Sequence, residues 1–298
     1  LSFYLLIFIL GLFVLENLSR KKAQYHSPAK GGFKKKSKSI LKGYKAVLAF
    51  SFCALIFFIS FLFPVLQMLY WTIIFPKHLA DLNLIELFFN TTILVFLSSI
   101  VLISFAFISN YGNRLSKSKF LEILTTFSIS GYAIPGIILA VAFITFISWF
   151  DNNIVAYFKL ETIKSIFIGS IIGLVVVYFI RFYSLASNGI KSGYLKISYS
   201  IDESAYLLGY SKFKTFKDIH IPYLKNSILL IGILIAIEII KELPITLIMR
   251  PFNFETFATQ AYIYASQDLL EAAAAPSLFL ILIASFFILI TSRYILKD

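Results

Sequence analysis

The sequence predicts an all-α polytopic membrane protein with six complete transmembrane helices, and three observations support this fold class. Hydrophobic residues make up 59% of the 298 positions, charged residues only 14%, and the mean hydropathy is +0.86. Several apolar runs exceed the roughly 20 residues that a helix needs to cross a bilayer. Of the 27 lysines and arginines, 22 fall on the side that the predicted topology makes cytoplasmic, as the positive-inside rule requires.

The charge distribution and the cysteine content limit the functional classes. The net charge of +12 comes from the basic cytoplasmic segments, so it orients the chain in a membrane and does not indicate a nucleic-acid site. Cys53 is the only cysteine, which excludes a disulfide framework within the chain and a thiolate cluster for a metal. No cluster of histidine, aspartate and glutamate at metal-ligand spacing occurs either, and we predict no metal site.

The first 45 residues are predicted to precede the main domain. Residues 1–15 are apolar and lack the flanking features of a signal peptide, so we expect them to be the end of a preceding transmembrane helix in an N-terminally incomplete sequence. Residues 16–45 are rich in lysine, and Pro28, Gly31 and Gly32 interrupt any helix. We expect a solvated cytoplasmic linker close to the headgroups of the lipid bilayer.

The membrane domain is predicted to cover residues 46–298. Its spans are expected at about 46–74, 88–108, 121–149, 166–183, 226–249 and 276–292. An amphipathic external helix is expected at about 255–272, between the last two spans, and the C-terminus is expected in the cytoplasm.

The third span contains a predicted break at Gly131, Pro135 and Gly136. Non-helical backbone at membrane depth occurs only where it is packed in protein or lines a cavity. Pro135 is therefore a candidate for the wall of a translocation pathway. A proline kink in a packed bundle is the alternative, and the sequence does not distinguish the two.

The fifth span carries ionisable residues at membrane depth. Each such charge costs about 2.5 to 3.5 kcal/mol at a helix centre unless it is paired or hydrated. Glu238, Lys241 and Glu242 are spaced to share one helix face, and Pro244 follows them. They form either a structural ion pair or part of a water-filled pathway. Arg181 is interpreted as the inner end of the fourth span.

Residues 200–222 form the longest mainly polar stretch in the second half of the chain, and they predict two short helices with a break. Ser200 and Glu203 have the spacing of a capping box at a helix start. Gly209 stands where a left-handed residue would end that helix. A second turn follows, and Pro222 is expected at the first position of the next membrane helix. A segment this long exceeds what a connection needs, so we expect it to bind a partner.

The order of residues in this segment resembles the E-A-A loop of ABC importer permeases. That loop reads E-A-A, three residues, G, nine residues and I-x-L-P. The chain departs from it only in having Ser204 and Ile221, each close in size to the residue it replaces. The resemblance covers residues 46–298 and implies a six-helix type I permease core. It also implies that the loop docks on a cytoplasmic ATPase through Glu203, Ser204, Ala205, Leu208, Gly209, Ile219, Ile221 and Pro222.

Four further segments look most like ferric-iron permeases, which carry two such domains in one chain. These segments are residues 241–244 (Lys-Glu-Leu-Pro), 250–252 (Arg-Pro-Phe), 254–256 (Phe-Glu-Thr) and 258–259 (Ala-Thr). The resemblance implies the second half of a fused permease in a bacterial inner (plasma) membrane. Its partners would be the other permease half, a dimer of ABC ATPases, and a periplasmic binding protein that delivers Fe(III).

The chain is not expected to be an enzyme or to bind a cofactor itself. No Gly-Lys dipeptide occurs, so a P-loop is absent, and ATP and Mg would be used by the ATPase partner. Related permeases for thiamine or polyamines are the alternative within the class. A proton-coupled secondary transporter that uses the charged group of the fifth span is the main alternative from another class. An intramembrane enzyme is less favoured, because no H-E-x-x-H or G-x-S-x-G motif is present.

Overall fold

The computed structural model describes residues 41–116, 119–158 and 167–295, and every regular element in these ranges is helical. The predicted residues 1–15 and most of the linker 16–45 lie outside the described residues. The chain divides into two compact units, residues 1–70 and 71–298. Six helices in the described ranges are long and apolar enough to cross a membrane, namely Tyr44–Ile74, Leu84–Ser116, Gly136–Asn153, Ile171–Tyr194, Lys212–Ile240 and Leu270–Arg293. The predicted all-α polytopic fold is confirmed.

The first span is continuous but contains a π turn. Helix α1 (Tyr44–Phe57) leads into the π turn Phe58–Leu62, and helix α2 (Phe63–Ile74) follows it. Pro64 stands just after the wide turn and has no N–H with which to continue the α-helical ladder. The π turn is the local irregularity that accommodates this missing donor.

The second unit is a helical bundle with a large central apolar core and a second, smaller cluster around Leu87, Phe257 and Ala275. Its long helices are α4 (Leu84–Ser116), α6 (Gly136–Phe158), α7 (Ile171–Tyr194), α10 (Ile221–Ile240) and α13 (Leu270–Ile295). The central core draws on α4, α6, α7 and α10, and its largest buried side chains include Leu102, Tyr178, Phe182, Ile190 and Ile235. Because α7 packs against both α4 and α10, it is the middle helix of this unit.

Shorter helices connect or extend these spans. In chain order they are α3 (Pro76–Ala80), α5 (Lys119–Ile129), α8 (Tyr199–Leu207), α9 (Lys212–Thr215), α11 (Pro244–Met249) and α12 (Phe257–Ser266).

The predicted break in the third span is confirmed, but it divides the segment into two helices. Helix α5 ends in a 3₁₀ turn, Ser130–Ala133, and only the helix that starts at Gly136 meets the length and hydropathy of a span. Pro135 lies between them and cannot donate to a continuous helix.

The predicted limits of the fourth span were wrong. The helix runs from Ile171 to Tyr194, so both its start and its end lie later in the chain than the expected 166–183. Ser170 caps it by accepting a hydrogen bond from the Gly173 N–H at 3.0 Å. Arg181 therefore lies inside the helix and not at its inner end. The sequence had placed the helix end at this charge because a lone arginine usually marks an interface.

The fifth span also differs from its prediction. Pro222 lies in the first turn of α10, close to its predicted place, but α9 and the π turn Phe216–His220 run into α10 without a break, so the span is continuous from Lys212 to Ile240. The helix stops at Ile240, and the backbone of residues 241–243 is irregular before α11 begins at Pro244. The expectation of one helix through residue 249 is corrected, because Pro244 has no N–H for the ladder.

The helix predicted at about 255–272 is present but shorter, since α12 covers Phe257–Ser266. The sixth span begins at Leu270 and includes Pro276, which the sequence had placed at its start. Residues 272–275 are four consecutive alanines, and all four are buried. The small side chains let neighbouring segments approach this turn of α13 from every side.

Candidate functional site

The segment 200–222 folds into a helical knob, and its cap differs from the prediction. Ser198 caps α8 by accepting a hydrogen bond from the Ser200 N–H at 3.3 Å, so the expected capping box of Ser200 and Glu203 is absent from this described helix. Ser200 instead lies in the first turn of α8, where its own hydroxyl is 2.7 Å from that of Ser198. The helix start is thus two residues earlier than the motif suggested.

The end of α8 agrees with the sequence. Gly209 has a φ of 82°, the left-handed conformation that glycine adopts without strain. The Gly209 N–H bonds to the Tyr206 carbonyl at 3.0 Å, and the Tyr210 N–H bonds to the Ala205 carbonyl at 3.0 Å. This pair of bonds is the Schellman arrangement, which satisfies the last carbonyls of the helix. The chain is then ready to turn into α9, which Ser211 caps through the Lys214 N–H.

Several apolar side chains of the knob are exposed on its surface. Leu207 is 89% exposed and Leu208 is 79% exposed, and Phe213 at the start of the next helix is 74% exposed. Glu203 and Ser204 are exposed beside them, whereas Ala205 is buried. A cleft of about 350 Å³ lies along the same helix, and Ser204, Leu208, Tyr210 and Ile219 are among the residues that line it. An exposed patch of this kind indicates an interaction surface.

A buried cluster of Arg114, Asp202 and His220 connects the knob to α4. The Asp202 carboxylate lies 2.6 Å from Arg114 Nε and 2.9 Å from His220 Nε2. The side chains of Arg114 and Asp202 are 6% and 9% exposed, and that of His220 is fully buried. Three separate elements, α4, α8 and the π turn, thus meet at one carboxylate.

The predicted pathway charges separate into two groups. Lys241 Nζ lies 2.8 Å from Glu238 Oε1, one helical turn apart, and their side chains are 55% and 24% exposed. Glu242 does not join them. Because the helix ends before it, the Glu242 side chain turns into the bundle, where it is 8% exposed. The predicted common face of Glu238, Lys241 and Glu242 is therefore corrected.

Glu242 pairs with Arg181 instead. Arg181 Nε lies 3.4 Å from Glu242 Oε2, and Glu242 Oε1 accepts a hydrogen bond from the Ile245 N–H at 3.3 Å. The carboxylate thus caps the helix that starts at Pro244, where the positive end of the helix dipole favours it. The buried hydroxyl of Tyr178 bonds to that of Thr246, which in turn donates to the Glu242 carbonyl at 2.5 Å.

The break at Pro135 meets the same arginine. Arg181 donates through one terminal nitrogen to the Ile134 carbonyl at 2.9 Å. A Cβ at Gly136 would lie 2.9 Å from Glu242 Oε1 and 3.0 Å from the Arg181 guanidinium, so a larger residue here would displace the ends of these two side chains. The two helix breaks at Pro135 and Pro244 are therefore joined through one ion pair. Arg181, placed at an interface by the sequence, is the missing partner.

The segment between the last two spans, residues 250–259, forms a corner held by several side-chain contacts. Arg250 forms an ion pair with Glu255 and donates to the Phe254 carbonyl at 3.3 Å. Thr256 and Thr259 make a reciprocal capping box at the start of α12. Asn90 on α4 donates to the Glu255 carbonyl at 3.0 Å and attaches this corner to the bundle.

Sequence reasoning missed the cluster of Arg114, Asp202 and His220, and it missed Arg181 as the partner of Glu242. Each contact joins residues far apart in the chain, 88 positions for Arg114 and Asp202. A single sequence carries no signal for such pairs beyond the cost of a charge in an apolar helix. Among the residues that the structure describes, no group of three or more His, Cys, Asp and Glu could hold a metal ion.

Comparison with known proteins places these features in context. No protein-family model matches the chain. The chain is 21% identical over 280 residues to the Fe(3+)-transport system permease protein FbpB 2 of Haemophilus influenzae, a match that covers 93% of this chain and 53% of the relative. The chain thus spans about half the length of that relative.

Two solved structures have the same fold. A bacterial ABC transporter that imports the acidic polysaccharide alginate matches with a TM-score of 0.63 and 16% identity, covering 84% of this chain and 96% of the other. The bacterial alginate ABC transporter in complex with its alginate pentasaccharide-bound periplasmic protein gives 0.66 and 15%, covering 84% and 93%.

Proposed function

We propose that this chain, which has the fold of ABC importer permeases, is a transmembrane subunit of an ATP-driven, binding-protein-dependent importer. The observation that carries the proposal is the knob of α8 and α9. It has the residue spacing of the E-A-A loop, and it presents an exposed apolar surface on a rigid, capped support. The fold likeness to importer permeases supports the same role.

In this function the knob docks on a cytoplasmic ATPase. Leu207 and Leu208 supply the apolar contact, because both are exposed and adjacent to the cleft along α8. Glu203 supplies an exposed charge at the edge of this surface. Gly209 ends the helix and Ser211 begins the next one, so the surface keeps a fixed shape while the ATPase moves. The ATPase dimer uses ATP and Mg, and its closure displaces the knob.

A cysteine crosslink tests the docking. Ala205 is buried, so we choose Leu207→Cys in a Cys53→Ser background, with Phe252→Cys as the matched control because Phe252 is fully exposed in the outer corner. We expect Leu207→Cys to crosslink to a co-expressed ABC ATPase with a yield that changes on ATP addition, and Phe252→Cys to give no such product. Equal crosslinking of both sites, or none at Leu207, contradicts the proposal.

Ferric iron is the cargo that we propose. The relative from Haemophilus influenzae is named as an Fe(3+)-transport permease. Residues 241–244 and the corner at residues 250–259 resemble such permeases in sequence. Selectivity is assigned to the periplasmic binding protein, which would hand Fe(III) to the outer face. Uptake of radioactive iron by cells with the complete importer tests this cargo. Uptake of thiamine or a polyamine in place of iron would assign the cargo to those alternatives.

The cellular arrangement follows from the same proposal. The chain is a multi-pass protein of a bacterial inner membrane, with the knob and the C-terminus in the cytoplasm. A second permease domain, fused or separate, completes the pathway. Glu238, Lys241, Glu242, Pro244 and Pro135 are the proposed pathway region, with Glu242 and Pro135 acting through the Arg181 contacts.

A proton-coupled carrier is less well supported. A relay through Glu238, Lys241 and Glu242 would need the three groups to exchange protons, whereas Glu242 faces Arg181 and the other two face each other. Transport that follows an ion gradient without any ATPase would favour that carrier over the importer.

A further inference from the structure

Arg114 lies at the cytoplasmic end of α4 and holds the backbone that leads into the knob. One terminal nitrogen donates to the Ile197 carbonyl at 3.0 Å, and the other donates to the Ser198 carbonyl at 3.0 Å. Its Nε donates to Asp202 at 2.6 Å. The guanidinium also lies 4.3 Å from the ring centre of Tyr199. Arg114 thus contacts the connection before α8, the cap of α8 and its first turn.

Tyr111 holds the other end of the knob from the same face of α4. It is one turn before Arg114, and residues three apart on a helix are neighbours. Its hydroxyl donates to the Lys212 carbonyl at 2.6 Å, at the start of α9. Its ring lies 4.9 Å from that of Phe216 and 5.2 Å from that of His220, both in the π turn.

These contacts make α4 the helix that carries the knob. The loop is connected by sequence to α7 and α10, but its charged and backbone anchors converge on α4. Arginine suits this position because its planar fork bonds several acceptors at once, which a lysine cannot do. The cluster is also buried, so its hydrogen bonds are poorly replaced by water.

We propose that Arg114 and Tyr111 are positioning residues that join the knob and α4 into one moving body. This inference rests on the proposed function, because the motion comes from the docked ATPase. When the ATPase displaces the knob, α4 moves with it and carries the displacement into the core that α4 shares with α7 and α10. Asp202 completes the joint by pairing with the Arg114 charge, and the buried His220 ring lies 2.9 Å from the same carboxylate.

The first test needs no partner protein. Spin labels at Leu207→Cys on α8 and Phe96→Cys on α4, two exposed sites, report the distance between the knob and the helix in a Cys53→Ser background. We expect a narrow distance distribution in the parent. It should broaden in Tyr111→Phe, which removes one hydroxyl, and in the double variant Arg114→Gln/Asp202→Asn, which removes the joint without leaving a buried charge. Lys191→Gln, at an exposed position on α7, should leave it unchanged.

The second test uses the complete importer with the ATPase that crosslinks to Leu207→Cys. In Tyr111→Phe and in Arg114→Gln/Asp202→Asn we expect the crosslink to persist. ATP hydrolysis stimulated by the loaded binding protein should fall about five- to tenfold, the size of a typical coupling energy between sites. Loss of docking together with activity would indicate a folding defect and would contradict a positioning role, as would full stimulation.

The outcomes separate the inference from the proposed function. A distance distribution that stays narrow in both variants overturns the inference whatever the ATPase does. A parent protein that crosslinks to no ATPase overturns the proposed function and, with it, the transmission of motion. A Leu207–Phe96 distance that changes on ATP addition in the parent shows that the knob moves independently of α4, and also overturns the inference.

Discussion

Arg181 and Glu242 show how much a single pair of residues contributes inside a membrane domain. Each is mostly buried, and together they join the breaks at Pro135 and Pro244. Removing one partner of such a pair leaves an uncompensated charge, which costs about 3 to 5 kcal/mol. Removing both charges costs less, because no lone charge remains.

We therefore expect Arg181→Gln and Glu242→Gln to lower the thermal stability of the purified protein strongly, each by an amount equivalent to about 3 to 5 kcal/mol. The double variant should recover part of this loss. Thermal unfolding in detergent or lipid discs, followed by fluorescence, measures all three. Additive losses in the double variant would show that the two side chains do not interact and would contradict the assigned pair.

At the same scale, the sequence predicted the unusual residues but not their partners. Glu242 was notable in the sequence because a charge in an apolar span has a high free-energy cost. The left-handed conformation predicted for Gly209 is confirmed. The motif predicts Ser200 as the cap, whereas the structure has Ser198, and both are serines that can begin a helix. The choice depends on backbone geometry that a motif does not contain.

At the scale of the element, two of the three prolines within the described spans follow a π turn, and Pro276 in α13 is the third. Pro64 follows the turn Phe58–Leu62, and Pro222 follows the turn Phe216–His220. The two positions differ in what the turn supports. The turn before Pro222 carries His220 toward Asp202, so its geometry sets the position of the knob.

We expect Pro222→Ala to lower transport, whereas Pro64→Ala should leave transport nearly unchanged. Alanine restores an N–H that can bond within a regular α-helix, and the wide turn then loses its cause. In Pro64→Ala, only the first span becomes a regular helix. In Pro222→Ala, residues 216–220 rotate and the contact between His220 and Asp202 is strained. Substrate uptake by cells, normalised to the amount of protein in the membrane, compares the two, and equal effects would refute this role of the π turn.

The number and type of the elements were predictable because hydrophobic length is a strong signal, and all six spans were found. Their ends were less accurate. Helix α7 extends to Tyr194 because its last turns pack against α4 and α10, whereas the sequence placed its end at Arg181. Tertiary packing thus overrode the charge pattern. The continuous helix from Lys212 was missed because Pro222 is usually a first-turn residue.

At the scale of the whole molecule, the exposed pair of Glu238 and Lys241 lies on a face of the bundle that the described residues leave uncovered. Glu238 lies within the fifth span, Lys212–Ile240, and Lys241 directly follows its last residue. Yet the Lys241 side chain is 55% exposed. A charge in a span is costly in lipid, so this face must meet water or another protein segment. The second permease domain that we propose, and the pathway between the two halves, would satisfy this requirement.

We expect Glu238→Gln/Lys241→Gln to fold normally and to lower transport about tenfold, which corresponds to roughly 1.4 kcal/mol at the rate-limiting step. Removing both charges together avoids a lone charge in the membrane. Uptake is measured beside the thermal stability of the same preparation. Unchanged uptake with unchanged stability would assign the pair a local structural role and remove it from the proposed pathway.

The four buried alanines of α13 have a consequence for contact with lipid. Residues 272–275 cover one full turn and are all enclosed, whereas Leu282, Phe286 and Leu289 farther along the helix are exposed. A photoreactive reagent dissolved in the hydrocarbon phase should therefore label the second group and spare the alanines. Any of the three exposed residues that escapes labelling in the assembled transporter marks the surface that a neighbouring subunit covers. Labelling of α13 thus distinguishes the faces of this chain that contact lipid from those that contact protein.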